Sequence, residues 1–91
     1  MAIGVYWAHP DMSQEEYEDS MRRLDEAGQA APEGRLYHFA FKDEQGMHIW
    51  SVWESQEAFE RFRDSLLPAA RDSGIEYIQP SISEIVRIVA A

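Results

Sequence analysis

The chain has no cysteine and no asparagine, and its eight Lys and Arg are outnumbered by 17 Asp and Glu. Without cysteine, neither a disulfide framework nor a thiolate metal site can be built. A net charge of −9 with no offsetting basic stripe repels a phosphate backbone, which argues against nucleic acid as a partner. The acidity itself reads as a solubility feature. Nowhere do about 18 apolar residues run together, so no membrane span is expected. The opening MAIGVYWAHP lacks the basic segment and the apolar length of a signal peptide. A soluble cytoplasmic protein is the expectation. The chain also lacks a glycine-rich phosphate loop, a nucleophile elbow and a carboxylate pair at defined spacing.

What is present is enough for a core. The 91 residues are 45% hydrophobic and 12% aromatic, consistent with one packed domain over 1–91. Met47 to Leu67 organises the rest. His48 to Trp53 is rich in β-branched and aromatic residues and reads as a strand. Ser55 then offers an N-cap, and the apolar period changes from two to 3.6, with Phe59, Phe62 and Leu66 on one helical stripe. Pro68 should kink or restart that helix before Gly74 ends it.

Upstream, Ala2 to Ala8 alternates as a strand, with Ile3, Val5 and Trp7 on one face and Tyr6 on the other. Ser13 and Glu16 form a capping box for a helix striped by Tyr17, Met21, Leu24 and Ala27. Arg35 to Lys42 sets Leu36, His38 and Ala40 against Tyr37, Phe39 and Phe41. Asp43 to Gly46 is a tight turn, making a hairpin with the organising strand. Ile82 to Val89 reads as the last strand.

The order β-α-β-β-α-β predicts an α+β, ferredoxin-like fold: a four-stranded antiparallel sheet in order 4-1-3-2 with two helices on one face. Two helices leave the other sheet face bare. Strands two and three carry large apolar groups on both faces, Leu36, Tyr37, Phe39, Phe41, Ile49, Trp50, Val52 and Trp53, so a homodimer packed sheet to sheet is expected.

The stretch VWESQEAFERF resembles the dimeric α/β-barrel superfamily, in particular its antibiotic-biosynthesis-monooxygenase-like group. Trp53, Ser55, Ala58 and Phe59 stand where that group carries a W-x-S-x-x-A-[FL] passage into its second helix. The resemblance implies a barrel-like homodimer and a ligand cavity between sheet and helices. It also implies aromatic polyketides, quinols, lactones or haem as ligand classes, with several members oxidising electron-rich substrates without metal or flavin. Its haem-degrading branch needs a histidine in the second helix and an asparagine in the first strand. This chain has no histidine after His48 and no asparagine, so the resemblance points away from haem.

For the site itself, strands one and three are read as parallel neighbours whose C-terminal ends share an edge with both helix N-termini. That edge would gather Trp7, His9, Arg35, Tyr37, His38, Trp53 and Glu54, an aromatic wall with a few polar groups. His38, alone among apolar neighbours, is the candidate base, with Tyr37 beside it. Tyr37, Trp7 and Trp53 would hold a ring, Tyr6 and Tyr37 would orient a substrate oxygen, His9 would stand at the rim, and Arg35 would meet a ligand carboxylate. Each has a plainer reading as a core, interface or turn residue. A metal shared by His38 and His48 is excluded in either hairpin register, by opposite faces or by roughly 13 Å of separation. No cofactor is expected. The functional readings are a cofactor-independent monooxygenase or isomerase for a small aromatic or polyketide-like molecule, and a non-catalytic ligand-binding or accessory protein of the same fold.

Overall fold

The structure is a computed structural model, and residues 1–89 are described. The elements are β1 (Ile3–His9), α1 (Gln14–Glu26), β2 (Arg35–Asp43), β3 (Gly46–Trp53), α2 (Gln56–Asp72) and β4 (Ser81–Glu84). The sheet order is β2-β3-β1-β4, every neighbouring pair antiparallel, which is the ferredoxin-like α+β arrangement. Among the described residues, no helix is long and apolar enough to cross a membrane.

The turn between β2 and β3 sets the faces. Asp43 pairs with Gly46, leaving a two-residue loop of Glu44 and Gln45. Asp43 accepts a hydrogen bond from the Gln45 amide at 2.8 Å, the local closure that favours aspartate in turns. Gly46 is required: its φ is +113°, and a Cβ there would lie 2.6 Å from the His9 carbonyl oxygen and from Pro10 Cα. With an even loop, His38 and His48 fall on opposite faces. His38 opposes Ser51 on the helix side, and His48 opposes Phe41 on the bare side.

The expectation that β1 and β3 run parallel is corrected. A crossover helix makes β2 parallel to β1, and the tight turn reverses β3, so β3 must oppose β1. Ile3 therefore pairs with Trp53 and His9 with Met47. These two ends lie roughly 20 Å apart along the strands at the usual rise. Helix α1 begins beyond the His9 end and α2 beyond the Trp53 end, so the two N-termini do not meet.

Both helices pack on one face of the sheet. Ile3, Val5 and Trp7 of β1 and Met47, Ile49 and Trp53 of β3 point at them, while Leu24, Phe59 and Phe62 project back. Val5 and Phe59 are completely buried, each removing about 1.5–3 kcal/mol worth of side chain from water. Ser13 caps α1 in a full capping box with Glu16, and the Ser55 hydroxyl accepts from the Ala58 amide at 3.1 Å. Helix α2 extends through Pro68 to Asp72, so it does not restart at the proline. Ala69 and Ala70, buried just after the proline, hold that last turn against the core.

Strand β4 is also shorter than Ile82 to Val89. It pairs only through Glu84, which faces Ile3, the first residue of β1. The Ile85 amide still reaches the Ala2 carbonyl at 3.0 Å, and among the described residues no ladder follows it, leaving Val86 and Val89 exposed.

The far face of the sheet is an aromatic platform. Tyr6 stacks on Trp50 at 4.3 Å between ring centres, Phe39 on Trp50 at 6.2 Å and Phe41 on His48 at 4.7 Å. Phe39 is 53% exposed there and Tyr37 47%. His48 is engaged at both nitrogens, 2.7 Å from the Tyr6 hydroxyl and 2.9 Å from Asp43.

Candidate active site

A cavity of about 50 Å³ lies between the inner sheet face and the helices. Trp7, Ile49 and Trp53 line it from the sheet, Met12 and Met21 from the α1 side, and Phe62 from α2. Polar groups are few: His9, Arg35 and His38 from the strands, Tyr17 and Ser20 from α1, Ser51 from β3 and Tyr77 from the segment before β4.

Local irregularity brings Arg35 and His38 to this wall together. Residues three apart on a regular strand face opposite ways. Here the ladder slips between Arg35 and Tyr37, so Arg35 opposes Trp53, Tyr37 opposes Val52 and His38 opposes Ser51. The slip turns Leu36 out to 47% exposure and puts Arg35 and His38 on the same inner face. Arg35 is anchored by donating to the Ala30 carbonyl at 2.8 Å.

His38 is held from above. Its Nε2 lies 2.7 Å from the Tyr17 hydroxyl, and the two rings are within 4° of parallel. Nδ1 has no partner among the described residues. Burial and then the Arg35 guanidinium push the His38 pKa below its ordinary value. The ring is therefore neutral at pH 7, with one nitrogen committed and one available. Burial raises the Tyr17 pKa, Glu18 adds to the rise and Arg35 opposes it, so the phenol keeps its proton. His9 lines the rim of the cavity, its pKa lowered by burial.

Both indole N–H groups in the wall are already used. Trp53 donates to the Ser51 hydroxyl at 2.9 Å, and Trp7 donates to the Ile78 carbonyl at 2.9 Å. The tryptophans thus present ring surface rather than donors.

Of the residues nominated from sequence, Trp7, His9, Arg35, His38 and Trp53 line one cavity. They share the inner face, not the single edge expected. Tyr37 and Tyr6 do not join them: strand alternation sends both to the far face, where Tyr6 bonds His48. Glu54, past the end of β3, is exposed and outside the cavity.

The pattern of a strand-and-helix cavity walled by aromatics now has a family attached. A family model described as antibiotic biosynthesis monooxygenase matches residues 1–72. The chain belongs to the antibiotic biosynthesis monooxygenase family. Among solved structures it is similar to a mutant of SnoaB, a cofactor-independent oxygenase from Streptomyces nogalater. That match has 17% identity and TM-score 0.61, covering 99% of this chain and 95% of the other. Protein YjcS matches at 17% identity and TM-score 0.55, over 92% of this chain and 95% of its own. Rv0793 from Mycobacterium tuberculosis matches at 14% and 0.50, over 99% and 95%. At these identities the likeness carries the fold alone. No curated protein matches the chain.

Membership in the antibiotic biosynthesis monooxygenase family does not identify Tyr17 or Tyr77, and neither was nominated from the sequence. Tyr17 reads as one member of an apolar helical stripe. Its position over β2 was the available signal, since a stripe facing the sheet must meet whatever polar residue the sheet presents. Tyr77 sits in a segment with no periodicity, and nothing in its neighbours marks it.

Proposed function

We propose that the cavity binds a small, electron-rich aromatic molecule and that His38 removes a proton from it, as the opening step of a cofactor-independent oxygenation. The observation that carries this reading is a neutral imidazole in an aromatic-walled cavity, with Nε2 held by Tyr17 and Nδ1 without a partner among the described residues. In the tautomer whose Nε2–H donates to the Tyr17 oxygen, Nδ1 carries the lone pair and takes the proton from a ligand C–H or O–H. The anion left behind gains from the Arg35 guanidinium in the same wall. An anion of this kind reduces dioxygen directly. For a CH₂ flanked by aromatic rings the balance is R₂CH₂ + O₂ → R₂C=O + H₂O, all four electrons coming from substrate.

Size bounds the substrate. A dry engineered cavity of about 150 Å³ accommodates benzene, three times the space enclosed here. A ligand must therefore displace flexible wall residues, and the thioethers of Met12 and Met21 are suited to this. One or two rings fit this reading better than a larger polyketide. The far face, with Tyr37, Phe39, Phe41 and Trp50 exposed, is covered in this proposal by a second copy of the chain.

The test is oxygen uptake with one-ring quinols and two-ring hydroxylated diarylmethanes, on wild type and His38→Ala. Uptake by wild type that His38→Ala reduces by about 100-fold or more supports the base assignment. Equal uptake by the two overturns it. The small cavity and the satisfied Nε2 favour one other reading, a non-catalytic binding protein. Thermal stabilisation by these ligands without oxygen uptake would select it.

A further inference from the structure

Tyr77 is built differently from every other polar group in the cavity wall. Its hydroxyl is shut off from solvent and has no hydrogen-bond partner among the described residues. Buried hydroxyls are ordinarily paired, because an unpaired one forfeits its hydration without return. The ring is nevertheless held firmly. It packs edge-on against Trp7, 6.4 Å between centres and 73° between planes. The segment that carries it is tied at both sides, by the Ile75 amide donating to the Ala70 carbonyl at 2.9 Å and by the Trp7 indole donating to the Ile78 carbonyl. Packing, not a hydrogen bond, thus fixes the hydroxyl, and Tyr77 lines the same cavity as His38 and Arg35.

We infer that the Tyr77 hydroxyl is the donor that receives a carbonyl or second phenolic oxygen of the ligand, so that the cavity selects aromatic molecules oxygenated at two positions. This rests on the cavity being a ligand site, as proposed above. One oxygen function faces His38 and Arg35, where the proton is lost. The other accepts from Tyr77, whose hydroxyl is closed off in the empty cavity and is reached as the ligand displaces the wall, so that the donor is recovered only when ligand is bound. A ligand with a single oxygen leaves Tyr77 unsatisfied and binds more weakly. Electron withdrawal through a carbonyl held there also stabilises the anion formed at the His38 end.

The test uses 4-hydroxyacetophenone and 4-ethylphenol, which match in size and differ in the carbonyl, and Tyr77→Phe, which removes only the hydroxyl. Binding is read by quenching of tryptophan fluorescence, since Trp7 and Trp53 form the wall. Wild type should bind the ketone about tenfold more tightly than the ethyl compound. Tyr77→Phe should lose that preference and keep its affinity for 4-ethylphenol. Without ligand, Tyr77→Phe should melt at or above the wild-type temperature, because an unpaired buried hydroxyl has been removed. A variant that keeps the preference overturns the assignment, as does one that melts lower without ligand. If wild type binds neither phenol, the ligand-site reading fails and the inference fails with it. If wild type binds both equally, the ligand-site reading stands and only the role of Tyr77 is lost.

Discussion

The Tyr17 hydroxyl and His38 Nε2 stand 2.7 Å apart, joining helix α1 to strand β2 across the roof of the cavity. The bond decides which imidazole nitrogen remains for a ligand, and it lies between two partly buried groups. Tyr17→Phe removes the hydroxyl and keeps the ring. It should cost about 1 kcal/mol, or about 4–8 °C in Tm for a domain of this length. In the oxygen-uptake assay it should lower turnover by about 10- to 100-fold, less than His38→Ala. Unchanged stability and turnover would show that His38 does not depend on Tyr17 for its orientation.

Acid should weaken the fold through its histidines. Burial and Arg35 hold His38 below 6.5, and burial lowers His9 in the same way. In the unfolded chain both take up a proton near 6.5, so below that pH the unfolded state binds more protons than the folded one. Their contribution is complete above pH 6.5 and is lost as the pH falls below it toward the folded values. Asp43, bonded to His48, and Asp19, between Arg22 and Arg23, are held below the usual carboxylate range and act at lower pH. Urea midpoints measured from pH 7.5 to 5 should fall for wild type and fall less steeply for His38→Gln. Parallel profiles would mean that His38 titrates alike in both states.

The exposed platform predicts an oligomeric response. Phe39→Glu places a charge at the middle of the far face, beside Trp50 and remote from the cavity. Light scattering should report a dimer for wild type and a monomer for this variant. Binding of a phenol in the cavity should survive. A wild-type monomer would remove the second copy from the proposal.

Gly46 tests the turn that sets the faces. Gly46→Ala forces a side chain onto a φ of +113° and a Cβ to within 2.6 Å of backbone at His9 and Pro10. Neither neighbour is a movable side-chain end. The substitution should destabilise by at least about 1–3 kcal/mol, seen as a lower denaturation midpoint. A neutral result would mean that the turn can adopt another form at no cost.

Much of the fold could be read in advance because its signals are local. Ile3, Val5 and Trp7 alternate with Tyr6 in the sequence and do so in the sheet. Ser13 with Glu16, and Ser55 before Ala58, mark helix starts through atoms only three residues apart. His38 stood out as a polar residue on an otherwise apolar strand face, and it does line the cavity. The errors came where the outcome depends on a distant partner. Ile85 to Val89 has strand composition, but β1 offers it nothing past Ala2. Tyr37 sits next to His38 in sequence and on the opposite face in space.

The sequence alone determined the order of elements, the sheet order that follows from it, and the family, because capping, alternation and the Trp53-to-Phe59 passage are written in neighbouring residues. Tertiary structure alone decided the site. The slip at Leu36 turned Arg35 inward beside His38, α1 laid Tyr17 over Nε2, and the loop before β4 buried the Tyr77 hydroxyl with no partner among the described residues. Each of these depends on where chain segments far apart in sequence come to rest, and periodicity carries no record of that.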